Sequence, residues 1–425
     1  MTEYYRFISI FSALFLLGTA TGVAAQEDGR WSTGGHVKAQ FNDIGFPDNS
    51  IFRQWSGSSA QDYNLESRLK FSYRRDHWDF KADYQFIMLN SDSLRLSSQL
   101  PSPAVPGSGV ISDDRRWWDL TYSVGDIEDT VFIHRLDRLS AGFTTDHTVW
   151  RFGRQAISWG NGLIFSPMDI FNPFDPAAVD KEYKSGDDML YGQYLFDSGN
   201  DLQGVAVVRR NPVTGDVEQD QSSMALKYHG FIGMNEFDLL AARHNADTGL
   251  GLGGGLDVGG AVVRGDLTWT DTDTRSVFSA VASLSYSWTW GGKNVSGVLE
   301  YYYNGFGQAD SAYSGAELAA NPDLLRRIAR GELFTLARHY TAASAMIEVT
   351  PLFRLTPNLF VNLEDPSALV QVVAQYDWRQ NLQVLAALNI PAGSGGTEYG
   401  GIETPIDGLY FSTDPSLFAQ LAWYF

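Results

Sequence analysis

The amino-acid sequence predicts a transmembrane antiparallel β-barrel of the all-β class. Three observations carry that expectation. Alternation of apolar and polar residues recurs from residue 33 to the last residue. The alternating segments run to about ten residues, the length of a tilted strand across a bilayer. Beyond the amino terminus, no stretch is long and apolar enough to form a spanning helix. In hydrocarbon every backbone polar group needs a partner within the protein, so a chain that crosses with strands has to close its sheet. Aromatic residues make up 14% of the chain, and Tyr and Trp gather at segment ends, where amphipathic rings settle at headgroup level.

The segment from Val277 to Trp290 shows the pattern most cleanly. Phe278, Ala280, Ala282, Leu284, Tyr286, Trp288 and Trp290 fall on one face; Ser279, Ser283, Ser285, Ser287 and Thr289 fall on the other, with Val281 the apolar exception. One face therefore meets lipid and the other a polar interior. Gly291 to Asn294 turns the chain into Val295, Gly297, Leu299, Tyr301 and Tyr303, which makes a hairpin. Ala368, Val370, Val372, Ala374 and Tyr376 share a face, and after the turn Trp378 to Asn381 so do Leu382, Val384, Ala386, Leu388 and Ile390. A soluble β-sandwich would carry charged outer faces and shorter strands. At the end of the chain Leu417, Ala419, Leu421, Trp423 and Phe425 alternate out to the last residue. A terminal aromatic on such a strand resembles the signal read by the outer-membrane barrel assembly machinery, an expected partner through Phe425.

The predicted strands are 33–41, 63–74, 77–88, 131–143, 148–158, 187–196, 201–210, 221–230, 235–245, 248–257, 259–271, 275–290, 295–304, 333–349, 357–364, 368–377, 381–390 and 416–425, eighteen in all. Outer-membrane barrels keep both termini and short turns in the periplasm and send long loops outward. The set obeys this parity: connections 42–62, 89–130, 159–186, 305–332 and 391–415 fall outside, and Arg75-Asp76 and 197–200 fall inside. Trp117 to Val124 also reads as a strand, but as a spanning one it would invert every later loop, so it belongs within the outer loop. Sixteen strands is the alternative, because Gly-rich residues 248–271 specify register weakly. Residues 318–330, with Leu324, Leu325 and Ile328 at helical spacing beside Arg326, Arg327 and Arg330, predict a short helix in an outer loop.

Residues 1–25 read as an export signal: Arg6 near the start, an apolar run from Phe7 to Leu17 too short to span, and Val23-Ala24-Ala25 before the cleavage point. Residues 26–425 then form a single barrel domain, with no linker or composition shift to divide them. The chain has no cysteine, which excludes disulfides, thiolate metal sites and a lipid-modified cysteine. A formal charge of −19 argues against nucleic acid as a partner. Acidic pairs such as Asp113-Asp114 and Asp187-Asp188 suit a solvated rim. Asp271 to Arg275 suits a tight turn better than a calcium site, since it holds an arginine and lacks the closing glutamate.

Function is expected where alternation stops. From Ile157 to Phe174 the chain is apolar but carries Pro167 and Pro173, with Pro176 following, so it is neither a central strand nor a freely solvated loop. It packs most economically against the inside wall of the barrel, where it narrows a lumen that eighteen strands would leave open. Residues 159–186 are thus the expected constriction. Its Asp169, Asp175, Asp180, Lys181, Glu182 and Lys184 are candidates to face Arg135, Arg138, Arg151, Arg154, Arg209 and Arg210 across the pore. Opposed acidic and basic walls would set the field felt by a permeating solute; the alternative is that these charges only hold the loop.

The run His134-Arg135-Leu136-Asp137-Arg138-Leu139, followed by Gly153-Arg154-Gln155, Ser158-Trp159-Gly160 and Asn172-Pro173, resembles a signature of porin-like outer-membrane β-barrel families of unknown function. Some of these are encoded near lipid-type exporters of the resistance-nodulation-division class. The resemblance spans about 40 residues and transfers no site residues. It implies an outer-membrane location and raises an exporter as a partner.

Three functions compete: a channel for small polar or charged solutes; a conduit or docking partner for lipid-like cargo, which Leu163, Ile164, Phe165, Ile170, Phe171 and Phe174 would suit; and a barrel enzyme. The enzyme reading lacks a nucleophile elbow and any HExxH spacing among the seven histidines. His134 is expected as a hydrogen-bonded lumen histidine rather than a base. No catalytic residue, cofactor or metal is expected.

Overall fold

The computed structural model describes residues 29–99, 111–127 and 130–425, so the proposed export signal lies outside them. In chain order the strands are β1 (Arg30–Gly45), β2 (Ser59–Arg75), β3 (Trp78–Ser91), β4 (Thr121–Ile127), β5 (Thr130–Thr144), β6 (Thr148–Gln155), β7 (Asp187–Leu195), β8 (Asp201–Val207), β9 (Ser223–Ile232), β10 (Asn235–His244), β11 (Asp247–Val258), β12 (Ala261–Asp271), β13 (Ser276–Trp290), β14 (Lys293–Tyr303), β15 (His339–Thr350), β16 (Phe353–Asn362), β17 (Ser367–Arg379), β18 (Leu382–Ala392), β19 (Ile402–Glu403), β20 (Tyr410–Phe411) and β21 (Ser416–Tyr424). The pair β19–β20 forms a small ribbon in the last outer loop; the rest make one antiparallel sheet. β1 pairs with β21 from His36↔Tyr424 to Ile44↔Ser416, which closes the ring.

Eighteen strands span, as the parity requires. The Gly-rich stretch makes two full strands, with β11 and β12 in unbroken register from Thr248↔Asp271 to Val258↔Ala261. β4 is the one short member of the sheet that does not span. β6 holds the inner half of β5, from Leu139↔Arg154 to Thr144↔Val149. β4 holds the outer half, from Thr121↔Arg135 to Ile127↔Thr130. Because β6 stops at Gln155 where the chain turns inward, the upper edge of β5 would be left with unpaired amides and carbonyls, and β4 covers them. This segment is therefore part of the wall rather than of a loose loop.

Hydrophobic phase builds each strand. On β13, Phe278, Leu284, Trp288 and Trp290 point out, while Val277, Ser279, Val281 and Ser283 are buried inward. Leu284, 44% exposed at the middle of the outer face, meets lipid tails. Leu284→Arg is expected to cost about 2–4 kcal/mol, as a cation at the bilayer midplane does. Ser285→Arg, one residue on and facing the lumen, should cost far less. Chemical denaturation of the barrel in lipid vesicles would compare the two.

Turns 233–234, 259–260 and 291–292 lie at the end that also holds Arg30 and Phe425, whereas 46–58, 156–186, 304–338 and 393–415 lie at the other, outer end. Within 304–338 the expected helix divides into α3 (Gly315–Ala319) and α4 (Pro322–Ala329); α1 (Arg53–Ser56) and α2 (Asp92–Gln99) lie in earlier outer loops. The break falls at Asn321-Pro322, because Asn321 caps the Leu324 amide and proline suits a first helical turn. β15 begins at His339 rather than near 333, since Asn304 N donates to Arg338 O and Gln308 N to Leu336 O, drawing 335–338 against the loop.

Candidate functional site

From Gln155 the chain leaves the wall and runs through the lumen to Asp187. Gly160 and Gly162 set its path. Gly160 has φ +102°, and a Cβ on Gly162 would stand 1.8 Å from the Phe165 carbonyl oxygen, so only glycine makes this bend. The bend aims consecutive amides at carboxylates on the opposite wall. Asp266 on β12 accepts from Asn161 N (2.8 Å) and Asn161 Nδ2 (2.8 Å). Glu300 on β14, 1% exposed, accepts from Leu163 N (2.9 Å), Ile164 N (3.2 Å), Phe165 N (2.5 Å) and the Ser283 hydroxyl. Asp238 on β10 takes a further bond from Asn161 Nδ2 at 2.9 Å.

The apolar residues of the loop are covered by an apolar stretch of inner wall. Trp159, Met168 and Phe171 bury against Met189, Val205, Val207, Ala225 and Leu240 of β7 to β10. Phe165 stacks on Tyr302 with centroids 4.8 Å apart. The loop then swings across: Asn172, at φ +51°, bonds Asp187 (2.9 Å), and Ala177 O accepts from Gln371 of β17 (2.7 Å). Lys38 of β1 meets Asp180 (2.6 Å) and Glu182 (2.8 Å), and Tyr424 of β21 donates to Glu182 (2.9 Å). Tyr183 lies under the Arg68 guanidinium, 4.0 Å from its ring centre, and accepts from Lys70. The loop thus touches strands around the ring.

Asp169 pairs with Lys184 (2.6 Å) inside the loop. Burial pushes the Asp169 carboxyl up against the pull of Lys184. Asp175 caps Ala177 N, and Lys181 donates to Pro176 O. Burial would raise Glu182, but bonds from Lys38, Tyr183 and Tyr424 outweigh it and hold the carboxyl down at about 2. The arginines do not pair with these acids. Arg154, 1% exposed, binds Asp188 (2.8 Å), Asp113 (2.7 Å) and Trp118 O (2.6 Å). Arg151 lies 3.6 Å from Asp79, and Arg209 pairs with Asp187 (2.5 Å). Arg210 bridges to Val217 through its backbone. Arg135 and Arg138 both pair with Asp137, and Arg138 alone reaches the loop, at the Lys184 carbonyl.

The arginine-rich motif has a geometric cause. Opposite β3, Asp83 faces Arg138 and Tyr84 faces Leu136, so Asp137 is an extra residue, a β-bulge. The bulge breaks the two-residue period, which lets Arg135, Asp137 and Arg138 all enter the lumen while Leu136 and Leu139 face out. His134 shares the outward phase, between Tyr84 and Tyr122, so it is not the lumen histidine expected from sequence. Lys38, Arg68, Lys70, Tyr183, Asp266 and Glu300 were not singled out by the sequence. Tyr183 lies on the loop itself; for the other five the only signal is a charged or polar residue at the inward phase of a strand.

Two hollows flank the loop. A charged one of about 210 Å³ lies against β1 to β5, among Lys38, Glu66, Arg68, Arg135, Asp137 and Asp180. A second, about 110 Å³ and lined mainly by Phe165, Pro173, Phe174, Leu240, Tyr302 and Phe306, lies against β10 to β14. Solved structures share this architecture. OccK2 (OpdF) of Pseudomonas aeruginosa, in complex with glucuronate, is similar with a TM-score of 0.53 at 8% identity, covering 93% of this chain and 97% of its own. OpdQ of the same organism gives 0.52 at 9%, covering 94% and 99%, and a BenF-like porin from Pseudomonas fluorescens Pf-5 gives 0.51 at 10%, covering 94% and 99%. The fold is that of outer-membrane porins. No family model and no curated protein matches the sequence.

In the last outer loop of this porin fold, Glu398 latches the loop to residues 304–338 and to the outer ends of β15 and β16. Glu398 accepts from Leu336 N (2.8 Å), the Tyr340 hydroxyl (2.5 Å) and Asn362 Nδ2 (2.7 Å). Burial pushes it up to about 7, although those bonds favour the ionised form. Because the folded value lies above the ordinary one of 4.5, the seated loop holds a proton that a free loop has lost. The latch is therefore expected to weaken as pH rises from about 4.5 to about 7. A fluorophore on Ser394 should grow more mobile across that range, and Glu398→Gln should flatten the response.

Proposed function

We propose that this barrel is a channel of the bacterial outer membrane that passes small polar or charged solutes, with residues 159–186 as its constriction. One observation carries the reading: the loop is fixed within the lumen by wall carboxylates and still leaves a hollow beside it that is lined by charges of both signs, Lys38, Arg68 and Arg135 with Glu66, Asp137 and Asp180. Charges of both signs around a polar hollow favour ions and polar solutes. The relatives in fold include a porin solved with glucuronate, itself a small charged molecule.

A conduit for lipid-like cargo is less well supported, because the apolar residues that would receive it are engaged within the barrel. Phe165 and Phe171 are buried against Tyr302 and the β7 to β10 wall, while Leu163 stays 45% exposed. The same proposal assigns residues 1–25 as a cleaved export signal and Phe425 as the contact for barrel assembly. Purified protein in planar bilayers should give discrete current steps, and liposomes carrying it should swell in small sugars or amino acids. Silent bilayers together with unswollen liposomes would overturn the channel.

A further inference from the structure

Above the loop, at the outer mouth, two Arg-Arg pairs lie side by side. Arg116 bridges antiparallel to Arg209, and Arg210 N donates to Arg115 O at 3.0 Å. The end of α4 adds Arg330, and a cavity of about 270 Å³ opens between Arg115, Arg116, Arg209 and Arg330. Like charges on adjacent strands repel, so such a cluster persists only when neutralised. Three of the four are. Arg116 meets Asp113 at 2.6 Å, Arg209 meets Asp187 at 2.5 Å and Arg330 meets Glu332 at 2.9 Å. The Arg115 side chain has no hydrogen-bond or ion-pair partner among the described residues. Asp114 also lines the cavity, exposed at its rim and outside any ion pair among those residues.

We propose that this cavity binds an oxyanion, the phosphate or carboxylate group of a small solute, with Arg115 as its principal ligand. Arg330 and Arg209 complete the positive side, and Asn172 and Asn245 line the cavity as uncharged donors. Burial and the neighbouring Arg330 and Arg209 disfavour the charged form of Arg115, with Glu332 opposing them, so an anion would relieve a local surplus of positive charge. Ile170 and Asn172 belong to the constriction and line the cavity from below, which puts a bound anion directly outside the narrow part of the lumen. The inference deepens the channel reading and names the chemistry of the solute drawn to its entrance.

Binding can be measured apart from conduction. The detergent-purified barrel is titrated calorimetrically with inorganic phosphate and with succinate, and the same preparation is tested in bilayers. Saturable binding of at least one anion is expected, weakened about tenfold or more in Arg115→Gln, which is at least 1.4 kcal/mol. Arg115→Lys, which keeps the charge, should lose less, and Arg30→Gln at the far end should lose nothing. Heat-modified gel mobility checks that each variant is folded. Absence of saturable binding for both anions, or equal binding by wild type and Arg115→Gln, overturns the site. Binding with neither current nor liposome swelling would retain the site and remove the channel; current without binding would do the reverse.

Discussion

Glu300→Ala is expected to raise single-channel conductance several-fold and to expose the loop to protease. The change removes the acceptor for three consecutive amides, Leu163 to Phe165, which have no other acceptor in this bend. Each buried amide left without a partner costs about 1–3 kcal/mol, so the seated loop loses much of its advantage over the released one. Phe165 then has only its apolar packing, against Tyr302, Tyr340 and Val281, to hold it. Glu300→Gln keeps one carbonyl oxygen and should fall between. Chymotrypsin cleavage at Phe165 and Phe171 would report release independently of current. Unchanged conductance with an uncut loop in Glu300→Ala would mean that apolar packing alone holds the loop.

Arg154→Met should destabilise the wall near β4 to β7 by about 3–5 kcal/mol, the usual result of stranding buried charges. Its guanidinium is the shared partner of Asp113 and Asp188 and also binds Trp118 O. Without it Asp113 keeps Arg116, but Asp188 keeps only the Trp118 amide. The outer half of the wall, where β6 has already ended, loses the tie that holds residues 113–118 in place. The measurement is the temperature at which the folded band disappears on a gel. Arg154→Lys should recover part of the loss through charge but not the forked geometry.

The strands were legible because the bilayer imposes one rule on every outward residue. Even the Gly-rich β11 gives its leucines, Leu250, Leu252 and Leu256, to the outer face. The inward course of residues 159–186 was legible too, since prolines and buried phenylalanines fit neither wall nor water. Charge pairing was not legible. Phe165 and Glu300 are 135 residues apart, and which strands face each other across the lumen depends on the closed ring. Asp180 and Glu182 met Lys38 rather than arginines for that reason, and the bulge at Asp137 reversed the phase that a simple alternation assigns to the motif.

The bond from Tyr424 to Glu182, beside Lys38, joins the first strand, the last strand and the interior segment at one point. The seam of the cylinder is therefore riveted from within. Opening the seam would cost the interior segment part of its hold as well, so the two ends of the sheet and the filling of the cylinder support one another.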